Sequence, residues 1–436
     1  MDESKLKNSV ILRMVFIGVL SVLLMLPALF VEALISERQL RSNAAMAEIS
    51  QSWGGTQTLT GPILTIPFKK ISSDEKGNTA FSLHHAHFLP SRLAIEGQLR
   101  PEIRYRGIYE AALYEGRLTL EGEFNRSDMR AFVADPENVL WRNAFVTLGV
   151  TDLKGVHDTV RLAWNGESYT STPGVRSGEL ASSGMTFTPP LASGSSAVKF
   201  SLALTLGGST DLLFVPVGET TSVVLESPWG DPSFIGGFLP VSREIADDHF
   251  KAEWKILSLN RNFPQSWTGE PYQLSESSFG TRLFLPVDQY QKTSRTVKYA
   301  FLFIVLTFAS LFLSEMMTRT ILHPIQYSLI GFALVLFYLM LLSFSEHMRF
   351  DGAFAVSSIS TIGLVSLYTS WIAAKRIAAV TAIVLTALYI FLYITLQLQD
   401  YALLVGTLGL TATLAVIMYV TRRVDWFALN TLARDH

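Results

Sequence analysis

Three groups of side chains in this chain have the types and spacing to do chemistry. The densest is His84-His85-Ala86-His87. Alternate residues of a strand share a face, so His85 and His87 would project together and could clip a metal ion. No cysteine or carboxylate lies at a spacing that would complete the ligand set, and the run closes on Leu89-Pro90, as a partly exposed strand would. The second group is Glu226 and Asp231, which flank Pro228-Trp229-Gly230. Paired carboxylates can divide acid and base work, but the intervening Pro and Gly make a tight turn the better reading, with Phe234 close by as a candidate docking aromatic. The third is Glu346-His347-Met348-Arg349, where a carboxylate, an imidazole and a guanidinium converge at the end of an apolar run. Protonation of His347 near neutral pH could modulate a contact made there.

The other patterns of catalysis fail. HExxH, GxSxG, GxxxxGK[ST] and GxGxxG do not occur, so neither a zinc protease, a serine hydrolase nor a nucleotide-phosphate cradle is indicated, and no cofactor is expected. One SxxK runs from Ser73 to Lys76, inside the polar stretch ISSDEKGN, which reads as a turn. His157 and Asp158 would need partners from elsewhere in the chain. A formal net charge of −2 with no basic stripe excludes a nucleic-acid partner, and the lack of cysteine excludes disulfides and thiolate metal sites.

The elements that carry these groups belong to two solvents. Residues 35–296 are rich in Gly, Pro, Ser, Thr and charge, whereas 297–421 are nearly free of charge outside short gaps. A hydrocarbon core needs about 20 apolar residues to cross as a helix. Six stretches qualify: 10–34, 297–317, 325–345, 353–374, 377–396 and 401–421. The first is long and lacks a small-x-small cleavage pattern, so it is expected to be an uncleaved anchor. Lys5, Lys7, Arg13, Arg319, Lys375, Arg376, Arg422 and Arg423 all fall on one side if the N-terminus is cytoplasmic, which places both termini inside and 35–296 outside. Glu32, Glu315 and Glu346 sit at helix ends, where each is expected to reach water.

The insert opens with ISERQLRSNAAMAEISQSW, a helical stalk continuing the first span until Gly54-Gly55 stops it. Short, partly alternating runs come next, among them TQTLTGPILTIPF, RLAIEGQL, GIYEAALYEGRLTLEGEF, KFSLALTLG and TTSVVLES, bounded by Gly, Pro and Asp. That pattern predicts a β-rich domain of antiparallel strands. The expected architecture is a mixed membrane protein: a cytoplasmic tail and first helix over 1–34, a β-rich α+β domain with its stalk over 35–296, helices two to six over 297–421, and a tail over 422–436.

Several segments together, WGGTQTLTGPILTIPF, GETTSVVLESPWGDPSFIGGFLP, PVDQYQKTSRTVKYAFLFIVLTF and HPIQYSLIGFALVLFYLMLLSFSEH, resemble the CreD family of bacterial inner-membrane proteins. RGIYEAALYEG and FKAEWKILSLNRNFPQSW fall in the family's order, so the resemblance covers nearly the whole chain. It implies a cell-envelope integrity protein with its large domain in the periplasm, from a family linked in some bacteria to two-component control, envelope stress, the β-lactam response and colicin tolerance. It transfers no catalytic residue.

Two functions remain open. In one the outer domain binds another envelope protein or lipid without catalysis, through surfaces that include Pro228, Trp229, Gly230, Phe234, Glu346, His347 and Arg349, while the helices sit in the lipid bilayer. In the other, helices two to six form a path or groove lined by Thr307, Ser310, Ser343, Thr381 and Thr386, and the protein transports or handles lipid.

Overall fold

The computed structural model describes residues 10–73, 79–125, 129, 138–191, 197–269, 272–283, 289–318, 322–398 and 401–422. Lys76 of the SxxK, and the basic residues Lys5, Lys7, Arg319 and Arg423, lie outside them. The chain forms two compact units, Asn43–Pro286 and the combination of Met1–Ser42 with Val287–His436.

The second of these units is helical. Its helices are α1 (Val10–Leu23), α2 (Met25–Trp53, whose last turns belong to the other unit), α3 (Gln289–Lys298), α4 (Ala300–Thr318), α5 (Pro324–Ser345), α6 (Phe350–Ile372), α7 (Lys375–Gln397) and α8 (Ala402–Thr421). Backbone bonds from Leu24 to Leu20 and from Ala28 to Leu24 carry α1 into α2 almost without a break. Leu24, Ala28, Val31 and Ile35 are buried at alternating steps of four and three, the stripe a helix offers to a bundle. Leu26, Leu29 and Phe30 on its other side are exposed, as an apolar surface facing lipid would be. Where α5 begins, Pro324 occupies the first helical position, the His323 ring accepts from Ile325 N, and Gln326 Oε1 accepts from His323 N at 2.8 Å.

Among the described residues, four helices are long and apolar enough to cross a membrane: the α1–α2 run from Leu12, α5, α6 and α7. α3 and α4 qualify only as a pair and meet at 45°, so the expected second span is bent at its outset. The expected sixth coincides with α8, whose shorter apolar stretch is Leu404–Val416 among the described residues. The bundle interior is filled with aromatic rings. Tyr389 of α7 is the hub, with its centroid 4.6 Å from that of Phe337 on α5, 5.4 Å from Phe303 on α4 and 6.3 Å from Phe354 on α6.

The other unit is built of β1 (Gln57–Ser73), β2 (Thr79–Phe88), β3 (Arg92–Arg106), β4 (Tyr109–Asn125), β5 (Phe145–Val150), β6 (Arg161–Trp164), β7 (Glu167–Thr170), β8 (Thr172–Pro173), β9 (Gly184–Phe187), β10 (Ala197–Ser209), β11 (Asp211–Phe214), β12 (Thr220–Ser227), β13 (Pro232–Gly236), β14 (Ser242–Ile245), β15 (Phe250–Leu257), β16 (Ser266–Thr268) and β17 (Phe279–Leu283). They form two sheets. One runs β13-β17-β11-β1-β5-β9-β8, with β2 on the distal half of β1 and β16 on β2; the other runs β14-β15-β12-β3-β4-β10-β6-β7. Strict alternation along β12 and the first half of β3 sends Leu93, Ile95, Val223 and Leu225 into one core shared with Leu64, Ile66, Val146 and Phe214 of the first sheet. Most pairings are antiparallel, but β1 with β11 and β12 with β3 are parallel. The register of β1 on β5 slips between Thr60 and Ile63, so Gly61-Pro62 sits where the ladder is interrupted and a proline is tolerated.

The stalk ends as its sequence predicts. α2 stops at Trp53, and Gly54 and Gly55 adopt φ of +121° and +50°, which only glycine accepts cheaply. Gln57, fully buried two residues on, organises the entry into β1. Its side-chain nitrogen lies 2.6, 2.9 and 3.1 Å from the carbonyls of Gly54, Asp152 and Gly207, and its oxygen accepts from Asp152 N at 3.2 Å. Replacing Gln57 by Leu removes all four of these bonds at a buried position and is expected to cost about 2–4 kcal/mol. The check is chemical denaturation of the full-length protein followed by tryptophan fluorescence; an unchanged midpoint would mean that this amide does not hold the turn.

Candidate functional site

The histidine run is split by the sheet it belongs to. β2 pairs with β1 so that Thr65 lies opposite His87 and Pro67 opposite His85. His87 is fully buried. Its Nδ1 is 3.0 Å from Thr65 Oγ1 and its Nε2 is 3.4 Å from the carboxylate of Glu179, whose side chain is half exposed. The Trp267 ring stacks against it at 5.2 Å, and the His85 ring is 6.3 Å away. Among the described residues no three His, Cys, Asp or Glu side chains are grouped closely enough to hold a metal ion. His85 and His87 do share a side of the strand, but His87 is spent on tying β2 to the loop carrying Glu179.

Burial pushes the His87 imidazole down to about 4, against an opposing pull from Glu179. Because the folded value lies below that of the unfolded chain, the neutral ring contributes its full stability above about pH 6.5 and loses it as pH falls through about 4. The swing is on the order of 3 kcal/mol. Denaturation midpoints measured from pH 7 to pH 4 should therefore fall more steeply in the native sequence than in His87→Gln. Equal slopes would remove His87 as the source of acid sensitivity.

The Pro228-Trp229-Gly230 segment is a turn. Trp229 Nε1 donates to the Asp231 carbonyl at 3.1 Å, and a Cβ on Gly230 would collide with the Asp247 carbonyl, so only glycine fits. Pro228 is exposed and Trp229 half-buried against the core. Glu226 is paired with Lys251 at 2.7 Å on the neighbouring strand. Phe234 packs edge-on against Phe250 and Trp254 at 6.0 and 5.6 Å, which makes it a core contact with one partly open side.

Glu346, His347 and Arg349 do not form one cluster. Glu346 closes α5 and is mostly buried, accepting from Tyr290 OH at 3.2 Å with Arg38 Nε at 3.7 Å. His347 and Arg349 are exposed, and Arg349 is the N-cap residue of α6. The other helix-end carboxylates are also engaged. Ser294 donates to Glu32 at 2.6 Å. Glu315, expected to reach water, is instead 5% exposed and accepts from Leu322 N at 2.9 Å and Tyr327 OH at 3.0 Å, clasping the connection between α4 and α5. The hydroxyls expected to line a path mostly bond their own helices: Thr307 to Phe303, Ser310 to Thr307, Thr381 to Ile377 and Thr386 to Ala382.

One surface is not anticipated by the motifs. β3 and β4 pair out to Arg106 and Tyr109, but β12 accompanies β3 only over 92–98 and β10 accompanies β4 only from Leu113 onward. The hairpin therefore projects beyond its sheet with strand edges open among the described residues. Arg104 lies over the Trp53 ring at 4.8 Å and Arg106 is paired with Glu48, so one face leans on the end of α2. The opposite face and tip expose Ile103, Tyr105 (66%) and Ile108. At the hairpin base a cleft of about 370 Å³ is lined by Trp53, Arg100, Glu102, Leu113, Tyr114 and Glu115. His157 is exposed and stacks edge-on against Trp53 at 5.2 Å. The alternation in EIRYRGIYEA, with glycine at the turn, is the sequence signal for this hairpin.

Comparison with known proteins agrees with the resemblance read from the sequence. Residues 9–427 match the family profile described as Inner membrane protein CreD. The Inner membrane protein CreD of Escherichia coli (strain K12) is 32% identical over 427 residues, spanning 94% of this chain and 92% of that protein. The chain belongs to the CreD family of inner membrane proteins.

Proposed function

We propose that this CreD-family chain is a binding protein of the cell envelope, anchored in the inner membrane by its helices, with both termini cytoplasmic and its β-rich unit in the periplasm. The observation that carries the binding role is the projecting β3–β4 hairpin. Open strand edges beside exposed Ile103, Tyr105 and Ile108 offer backbone hydrogen bonds and apolar contacts together, the combination by which a sheet takes up an extended partner. Trp229 and Phe234, partly open at the start of edge strand β13, extend the same kind of surface elsewhere on the unit. A non-catalytic role is supported by the structural bonds that occupy His87, Glu226, Glu315 and Glu346. The aromatic filling around Tyr389 favours anchorage over a transport path.

Orientation is directly testable, because the chain has no cysteine of its own. Glu167→Cys, on exposed β7, should react with a membrane-impermeant maleimide in spheroplasts, and Arg422→Cys only after permeabilisation. The reverse pattern would invert the topology. For binding, Ile103→Ser, Tyr105→Ser and Ile108→Ser combined should leave accumulation and melting unchanged while failing to restore detergent resistance to a deletion strain. Full restoration would rule out the hairpin as the working surface.

A further inference from the structure

The bend between α3 and α4 separates two kinds of surface. α3 turns its inward side to the bundle through Thr293, Thr296 and Val297, all buried, and its rotation is fixed by Tyr290 bonding Glu346 and Ser294 bonding Glu32. With that side committed, Gln291, Arg295 and Lys298 face outward at steps of four and three. Lys292 is partly absorbed, its ammonium 5.5 Å from the centre of the Phe350 ring. Arg295 and Lys298 are exposed, and among the described residues neither has an ion pair. One turn beyond Lys298 the chain becomes apolar and stays so: Phe301 is 46% exposed, and Leu302 and Val305 are half-exposed on α4.

A pair of unneutralised cations at the end of a membrane helix, succeeded on the next turn by exposed hydrocarbon-compatible side chains, has the polarity of a phospholipid read from head to tail. We propose that Arg295 and Lys298 hold the phosphate headgroup of an anionic phospholipid whose acyl chains lie along α4. Charge complementarity selects the ligand: residues three apart on a helix bring both cations to one phosphate, and a zwitterionic headgroup adds a cation of its own that they repel. The site is formed wholly by α3 and α4 and does not depend on which leaflet surrounds it.

The test is native mass spectrometry of the full-length protein in detergent with equimolar phosphatidylglycerol and phosphatidylcholine. The native sequence should retain phosphatidylglycerol in preference. Arg295→Gln with Lys298→Gln should lower that preference by about tenfold, whereas Arg295→Lys with Lys298→Arg should keep it. An unchanged preference in the Gln variant overturns the site, as does equal loss in the charge-conserving variant or full displacement of the lipid by inorganic phosphate alone. Should the Gln variant fail to fold, titration of the native protein with sodium chloride decides: the preference should fall with salt, and a salt-independent preference refutes a headgroup held by these charges.

Discussion

The β-rich unit depends on burying backbone where a helix runs into a sheet. The Gly54 carbonyl at that junction lies past the end of the helix and before the first ladder, and a buried unpaired carbonyl is costly. Gln57 meets the problem with one amide that reaches three carbonyls and one N–H from three separate stretches of chain. The arrangement works only because the backbones approach closely: a Cβ on Gly155 would collide with the Gly207 carbonyl. Everything nearby inherits its position from this point. Trp53 donates to the Tyr114 carbonyl at 3.2 Å, Tyr114 donates to the Asp211 carbonyl at 2.8 Å, and Asp211 is held by Arg282 in a two-point pair at 2.6 and 2.8 Å. Trp53 in turn carries Arg104, and so sets which face of the projecting hairpin is covered and which is left open.

The helical unit solves the opposite problem, that of keeping polar groups satisfied where water is scarce. Glu32, Glu315 and Glu346 lie toward helix ends, each accepting from a hydroxyl, while the middle of the bundle is built from rings. Glu315 shows the principle. Placed at the end of an apolar helix, it folds back to cap the connection to α5, taking a backbone N–H that would otherwise be orphaned. Thr307 and Thr381 donate to carbonyls of their own helices, which hides a donor without requiring a partner helix.

How much of the structure is legible in the sequence depends on the range of each interaction. The stalk and its glycine stop, the cap at His323-Pro324 and the strands over TTSVVLES and KFSLALTLG are local patterns, and each is found where its residues predict. Features made by residues far apart are not legible. His87 lies within three residues of two other histidines, yet its partners are Thr65 and Glu179, 22 and 92 positions away. The grouping of Glu346 with His347 and Arg349 fails for a related reason: helix geometry at the end of α5 turns the carboxylate inward to Tyr290 and Arg38 and leaves its neighbours outside. The bend at Tyr299 is hidden as well, because a polar amphipathic turn before an apolar helix reads as ordinary lead-in until the buried face of α3 is known.

The hairpin shows why an open edge in this unit is a surface rather than a flaw in packing. Most strands of both sheets are covered on their flanks by other strands, and the strands at the sheet ends are short, β7, β8 and β14 having four residues or fewer and β13 five; β1 and β2 also run past their neighbours, with Phe81 and Leu83 exposed. Short edges are the ordinary protection against unwanted pairing. β3 and β4, at 15 and 17 residues, break that rule. They project past their neighbours, with Arg104 over the Trp53 ring and Arg106 paired with Glu48 on one side. On the proposed binding role, an edge already held in extended, paired form with exposed Ile and Tyr beside it needs less ordering when a partner strand is added. The bracing and the exposure have one cause, since the arginines that fasten the hairpin to the helix end turn Ile103 and Tyr105 the other way.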